Sequence, residues 1–265
     1  MNIYVHELKA YRKSTIIWTF SLSAIVVVFM SMFPAISKDI EQFTKMLEGF
    51  PEAVRQALGL ELVSLGSILG FYSYAFLYLT LCGAIQAMNV GTSIVLKEVR
   101  EKTADFLLTK PVTRTRILTA KILAATTSLV ITNAVYIAVA SIMASLVHTE
   151  AYDITVFLMI SITLLFIQLI FLALGIITSV VFPKIKSVLT VSLGTVFAFF
   201  IISMLTSISG DDAKRYLSPF QYYDRPYIIV HSRYEPIFII VGIGIIVMAL
   251  AASYVVYVRR DIHAV

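Results

Sequence analysis

The stretch ITVFLMISITLLFIQLIFLALGIITSVVF, residues 154–182, carries no Asp, Glu, Lys or Arg. A helix needs roughly 20 mostly apolar residues to cross the hydrocarbon layer of a bilayer. In lipid every backbone N–H and C=O must be satisfied within the protein, and a helix does this by itself. The run therefore predicts a transmembrane helix. Five further runs read the same way: 16–36, 68–96, 117–147, 188–208 and 236–258. Several exceed the minimum, which predicts tilt or helix projecting beyond the bilayer. Composition agrees. Of 265 residues 59% are apolar and 14% charged, against roughly a quarter charged in soluble domains, and mean hydropathy is +0.89. The fold class is all-α integral membrane, in one domain over 1–265.

Basic residues set the expected orientation. Of the 21 Lys and Arg, 14 fall in the N-terminal segment, around 97–121, at Lys184 and Lys186, and at Arg259 and Arg260. The other 7 lie in the alternate segments, although these are longer. The positive-inside rule then puts both termini in the cytoplasm. The net charge of +5 is read as orientation and attraction to anionic head groups, with no nucleic-acid partner. The first apolar run follows Lys9, Arg12 and Lys13 but is longer than the roughly 7–15 residues of a signal core, so it reads as an uncleaved span. The single Cys82 allows no intramolecular disulfide, and the four histidines are scattered, so no metal site is expected.

Two outward segments have character of their own. Residues 39–62 read as a helix pair, Asp39 to Leu47 and Pro51 to Leu60, with Gly59 near the second end. Residues 209–235 carry Tyr222 and Tyr223. Tyrosines suit the membrane–water boundary, so interfacial anchoring is the favoured reading and a gate facing substrate the alternative.

The most charged region lies between the second and third runs, from Lys97 to Arg114. Lys97 with Glu101, and Glu98 with Lys102, are opposite charges at i,i+4, which support a helix. Val99, Phe106 and Leu107 share one face. Pro111 breaks the run, and a new helix can begin near Thr113. The result is a short amphipathic cytoplasmic helix joined to two spans. Such a helix can lie on lipid or press an apolar ridge into a partner's groove, and the physics leaves both open.

The order Glu98, Glu101, Lys102-Thr103, Phe106-Leu107-Leu108, Pro111 and Arg114 resembles the signature of ABC-2-type permeases. In that family a Gly often stands where this chain has Lys102. Residues 2–13, with Tyr4, Leu8 and Tyr11 on one face, resemble the family's amphipathic elbow helix. Phe50 to Ala53 and Leu217 to Phe220 resemble its other outer elements. The resemblance implies six spans with an elbow helix, a cytoplasmic coupling helix at 98–108 and helical outer segments. It implies a multi-pass protein of a bacterial or archaeal cell membrane. Its partners would be ABC-type ATPase subunits and a second permease copy or homologue. ATP and Mg would be held by the ATPase and no cofactor by this chain. Export is favoured over import. No G-x-x-x-x-G-K-[ST] phosphate loop occurs here, so hydrolysis would fall to a separate subunit.

Polar groups within the runs are few. Gln86, Asn89, Asn133 and Gln168 are costly in lipid. Hydrogen bonding between helices is their favoured reading, and lining a substrate path is the alternative. The Ser and Thr residues of the third run can bond their own helix. Gly66 with Gly70, and Ser141 with Ser145, offer small-residue spacing for close packing. An intramembrane hydrolase would need a nucleophile, paired carboxylates or a metal cluster at depth, and the runs supply none. A sensing or assembly complex linked to an ATPase, or a secondary carrier without one, remains as an alternative function.

Overall fold

The computed structural model describes residues 3–57, 65–100, 113–209 and 212–259, and every element among them is helical. In chain order these are α1 (Ile3–Lys38), α2 (Ile40–Glu48), α3 (Glu52–Ala57), α4 (Ile68–Arg100), α5 (Arg114–Val147), α6 (Ile154–Val181) and α7 (Val188–Ser209). Two 3-10 turns follow, Asp212–Leu217 and Pro219–Gln221, then α8 (Arg225–His231) and α9 (Pro236–Arg259). Six helices are long and apolar enough to cross a membrane: α1, α4, α5, α6, α7 and α9.

The starts of these helices are chemically specified. Thr113 caps α5, its hydroxyl accepting from Arg116 N at 3.3 Å. Asp153 caps α6, accepting from Thr155 N at 2.7 Å and Val156 N at 3.3 Å. Side-chain oxygens there satisfy N–H groups that the first helical turn leaves without partners. The expected helix pair after the first span is present as α2 and α3, and α3 follows Pro51. The expected helix end at Gly59 lies outside the described residues.

The elbow helix is a correction. No separate helix precedes the first span, because α1 runs unbroken for 36 residues. Neither Gly nor Pro interrupts it before Pro34, so nothing ends the helix between the N-terminal face and the span. At 1.5 Å per residue it is roughly 54 Å long, well beyond the hydrocarbon thickness. The face that carries Tyr4 and Tyr11 turns into the bundle. Tyr4 OH lies 3.0 Å from Thr127 Oγ1, and Tyr11 OH lies 3.3 Å from Ser93 Oγ.

The helices α4 and α6 form the interior. Their most apolar windows are 61% and 67% buried, against 11–28% for the other four spans. They run parallel and touch at glycine. A Cβ on Gly175 would stand 2.7 Å from Met88 O and 2.9 Å from Thr92 N, and one on Gly91 would strike Leu172 O. Small residues let helix backbones meet where lipid offers no hydrophobic drive. The backbones of α4 and α6 therefore come together at Gly91 and Gly175. The helix α1 packs along α5, while α7 lies against α4 and α9 against α6.

The contacts also place the chain ends. Lys121 on α5 meets Glu7 and Ile94 O, and Arg114 Nη1 lies 3.5 Å from Val258 O. The start of α1, the end of α4, the start of α5 and the end of α9 thus share one end of the bundle. Arg100 and Thr113, the described residues that bracket 101–112, belong to that end.

Candidate functional site

Glu101, Lys102, Thr103, Phe106, Leu107, Leu108 and Pro111 lie outside the described residues. The residues on either side of them are placed. Glu98 belongs to the last turn of α4, and Arg114 is the first residue of α5. These two helices run antiparallel and are tied directly behind the segment, where Lys121 Nζ donates to Ile94 O at 2.7 Å.

Three of the four polar residues singled out within the spans come together. Gln168 Nε2 on α6 donates to Gln86 Oε1 on α4 at 3.1 Å, and its Oε1 accepts from Asn133 Nδ2 on α5 at 2.5 Å. Gln86 Nε2 donates to Thr132 Oγ1 at 3.2 Å, and Thr132 in turn lies 3.0 Å from Thr19 Oγ1 on α1. One chain of bonds thus joins α1, α4, α5 and α6. Gln86 and Gln168 are fully buried and Asn133 nearly so, so these amides spend their bonding capacity on one another and on the backbone. Asn133 Oδ1 has no partner among the described residues. Asn89, half-buried on α4, stands outside this group.

The amide cluster is the middle of a longer seam that sequence reasoning missed. On α5, Lys121, Ser128, Thr132 and Tyr136 follow one another at seven, four and four residues, which puts them on one face. All four are buried. Ser128 Oγ lies 2.5 Å from Thr15 Oγ1. Tyr136 OH bonds Tyr72 OH, which lies 2.8 Å from Ser161 Oγ. From Lys121 to Tyr136 the seam rises roughly 22 Å, at 1.5 Å per residue. The signal was present: Thr15 and Thr19 at i,i+4 match Ser128 and Thr132 at i,i+4. Reading each hydroxyl as bonded to its own helix hid it.

At the foot of the seam sits a buried ion pair. Lys121 Nζ lies 3.1 Å from Glu7 Oε1, with the two side chains 0% and 7% exposed. Glu7 lies near the start of the chain and Lys121 within the third apolar run. Only the unbroken α1 brings them together.

At the other end of the bundle the 212–235 segment is docked onto the spans, and this corrects the interfacial reading of its tyrosines. Tyr222 and Tyr223 are 3% and 8% exposed. Tyr222 OH donates to Tyr216 O at 2.9 Å, and its ring stacks on Phe238. Tyr223 packs against Phe166 and Tyr234. Burial pushes the Tyr223 hydroxyl up to about 12, with Tyr234 and then Tyr222 adding to it. Arg215 fastens the segment, donating to both Glu235 oxygens at 2.6 and 3.1 Å while lying over the Phe238 ring. Gln221 Nε2 donates to Ser203 O at 2.9 Å and to Ser207 Oγ at 2.6 Å on α7. The tyrosines face the core because the segment folds back over the helix ends and fills the gap between them.

Six helices long and apolar enough to span a bilayer, with chain ends that share one end of the bundle, describe a membrane component. No curated protein matches the chain. A family model described as ABC-2 family transporter protein matches residues 1–262, and on that nearly complete coverage the chain belongs to the ABC-2 transporter family.

Proposed function

We propose that this chain is the permease subunit of an ATP-driven exporter, working with a separate ABC-type ATPase and a second permease copy or homologue. The observation that carries the reading is the mounting of the 97–113 segment. It is the most charged part of the chain. It connects the interior helix α4 to α5, and Lys121 ties these two together. A partner pressing on this segment would act on the helix at the centre of the bundle. The basic residues around it favour the cytoplasm for this end, where ATP is available. ATP and Mg would bind the ATPase.

Within the segment, Phe106, Leu107 and Leu108 supply the apolar ridge. Glu98, Glu101, Lys102 and Arg114 supply charges at its rim, where such groups set orientation and partner choice. Leu107→Asp places a charge in that apolar contact, at a cost of roughly several kcal/mol if it stays ionised and unpaired. The expected outcome is normal membrane insertion with loss of the ATPase on copurification through a tag on the permease. Retention of the ATPase at the parent level would remove 98–108 as the docking element.

A further inference from the structure

The first turns of α1 are bonded to both flanks of the 97–113 segment. Glu7 pairs with Lys121, seven residues into α5, and the same ammonium donates to Ile94 O, about two turns before the end of α4. Tyr11 OH meets Ser93 Oγ in that same turn of α4, at 3.3 Å. Glu7 and Lys121 are both buried. A charge buried in this way has no water to take over from its partner, so parting the pair strands an ion in a low-dielectric site. The three helices therefore resist sliding past one another here, while the hydroxyl contacts farther along α1 can be exchanged one at a time.

We propose that Glu7 and Lys121 are positioning residues that make residues 3–14 move as one body with the two flanks of the 97–113 segment. A shift of the docked segment then reaches the first span directly through α1, as well as through α4 and α5. The inference rests on the ATPase-coupled reading given above and adds a role for the N-terminal helix in it. Plain structural glue makes a different prediction, because it would stabilise residues 3–14 equally with and without nucleotide.

The test is amide hydrogen exchange on the full permease–ATPase complex in lipid nanodiscs, nucleotide-free and after trapping with ATP and vanadate. Peptides covering 3–14, 88–100 and 114–125 are followed. In the parent complex all three should change together on trapping. In Lys121→Met and in Glu7→Gln, which preserves the side-chain shape, the change should persist in 88–100 and 114–125 and drop out of 3–14. Lys121→Arg, which keeps a cation able to donate to both Glu7 and Ile94 O, should retain it. If 3–14 keeps the parent's trapping response in the single variants, even from a faster baseline, the pair is glue and the proposal falls. A parent response confined to 88–100 and 114–125 also overturns it, and leaves the ATPase-coupled reading standing. A parent in which none of the three stretches responds overturns that reading and this inference together. Should Lys121→Met fail to assemble, Glu7→Gln and Lys121→Arg decide the matter by the same criterion.

Discussion

The contact between α4 and α6 and the contact between α1 and α5 solve the same problem by opposite means. Both join parallel helices in an environment where lipid is as apolar as leucine, so burial of apolar surface gives little drive. At Gly91 and Gly175 the backbones themselves meet, and there is no room for a Cβ. Between α1 and α5 the helices are joined by side-chain oxygens and one ion pair: Thr15 with Ser128 at 2.5 Å, Thr19 with Thr132 at 3.0 Å, and Glu7 with Lys121 at 3.1 Å. The first contact is tight and unforgiving of volume. The second is made of separate bonds, and each hydroxyl bond is of modest worth and replaceable. A bundle built this way has a fixed centre, α4 and α6, and a flank, α1 and α5, whose register is set by polar groups.

The rigid contact between α4 and α6 is the more sensitive of the two to added volume. Gly175→Leu forces a side chain into backbone, and overpacking costs about 1–3 kcal/mol even where neighbours can yield, so roughly 3 kcal/mol or more is expected here. Fluorescence-detected gel filtration after heating should show collapse of the monodisperse peak well below the parent's midpoint. A parent-like midpoint would mean that the backbones do not touch.

Where the two contacts meet, the amide cluster is the next most sensitive place. Gln168→Leu removes the partner of Asn133 Nδ2 and of Gln86 Oε1 at once. Leaving buried polar groups without partners costs about 1–3 kcal/mol. A double-mutant cycle with Asn133→Leu should return a coupling near ~0.6 and below ~1.7 kcal/mol, the range for hydrogen bonds between spanning helices. A cycle that gives zero coupling would show the two amides to be independent.

On the polar flank single hydroxyl changes should be mild. Thr19→Val keeps shape and removes one hydroxyl, and Thr132 still accepts from Gln86 Nε2 at 3.2 Å. The expected loss is under about 1 kcal/mol, read as a small shift in the same melting assay. A loss as large as that of Gly175→Leu would erase the distinction between the two contacts.

The smallest effect at neutral pH is expected in the docked 212–235 segment, which is held by aromatic packing, the Arg215 clasp and the Gln221 bonds to α7. The buried Tyr223 hydroxyl is raised to about 12, against about 10 for an unperturbed tyrosine. A raised pKa means that folding favours the neutral phenol. Its contribution is fully present below about pH 10 and is lost as pH climbs from there to about 12. Tyr223→Phe should leave the melting midpoint at neutral pH nearly unchanged, and in absorbance titration it should delete a phenolate step near pH 12. Survival of the whole late step would place Tyr223 in contact with water.

The spans were legible because they depend on a local property. A run such as 154–182 must be helical in lipid whatever surrounds it, so the boundaries of α4 to α7 and α9 could be read off within a few residues, as could the Pro51 and Thr113 helix starts. Gln86, Asn133 and Gln168 were legible as polar residues in apolar runs for the same reason. The elbow was misread because amphipathicity shows that a face wants a partner without saying which partner. Tyr4 meets α5 and Tyr11 meets α4. The tyrosines at 222 and 223 were misread on the same ground.

The residue order alone established the number of spans, the bounds of all but the first, the charge of the segment between the second and third, and the resemblance carried by that segment. Each follows from residues adjacent in the chain and from the cost of bare backbone or charge in hydrocarbon. Which faces meet was set by packing: Gly91 against Gly175, Gln86 with Asn133 and Gln168, and Glu7 with Lys121. Spacing along a helix says which residues share a face, but which helix that face meets is settled by how the whole bundle packs. Glu7 and Lys121 stand 114 residues apart in the chain, and they become a pair only because one unbroken helix brings the first onto the foot of the second's seam.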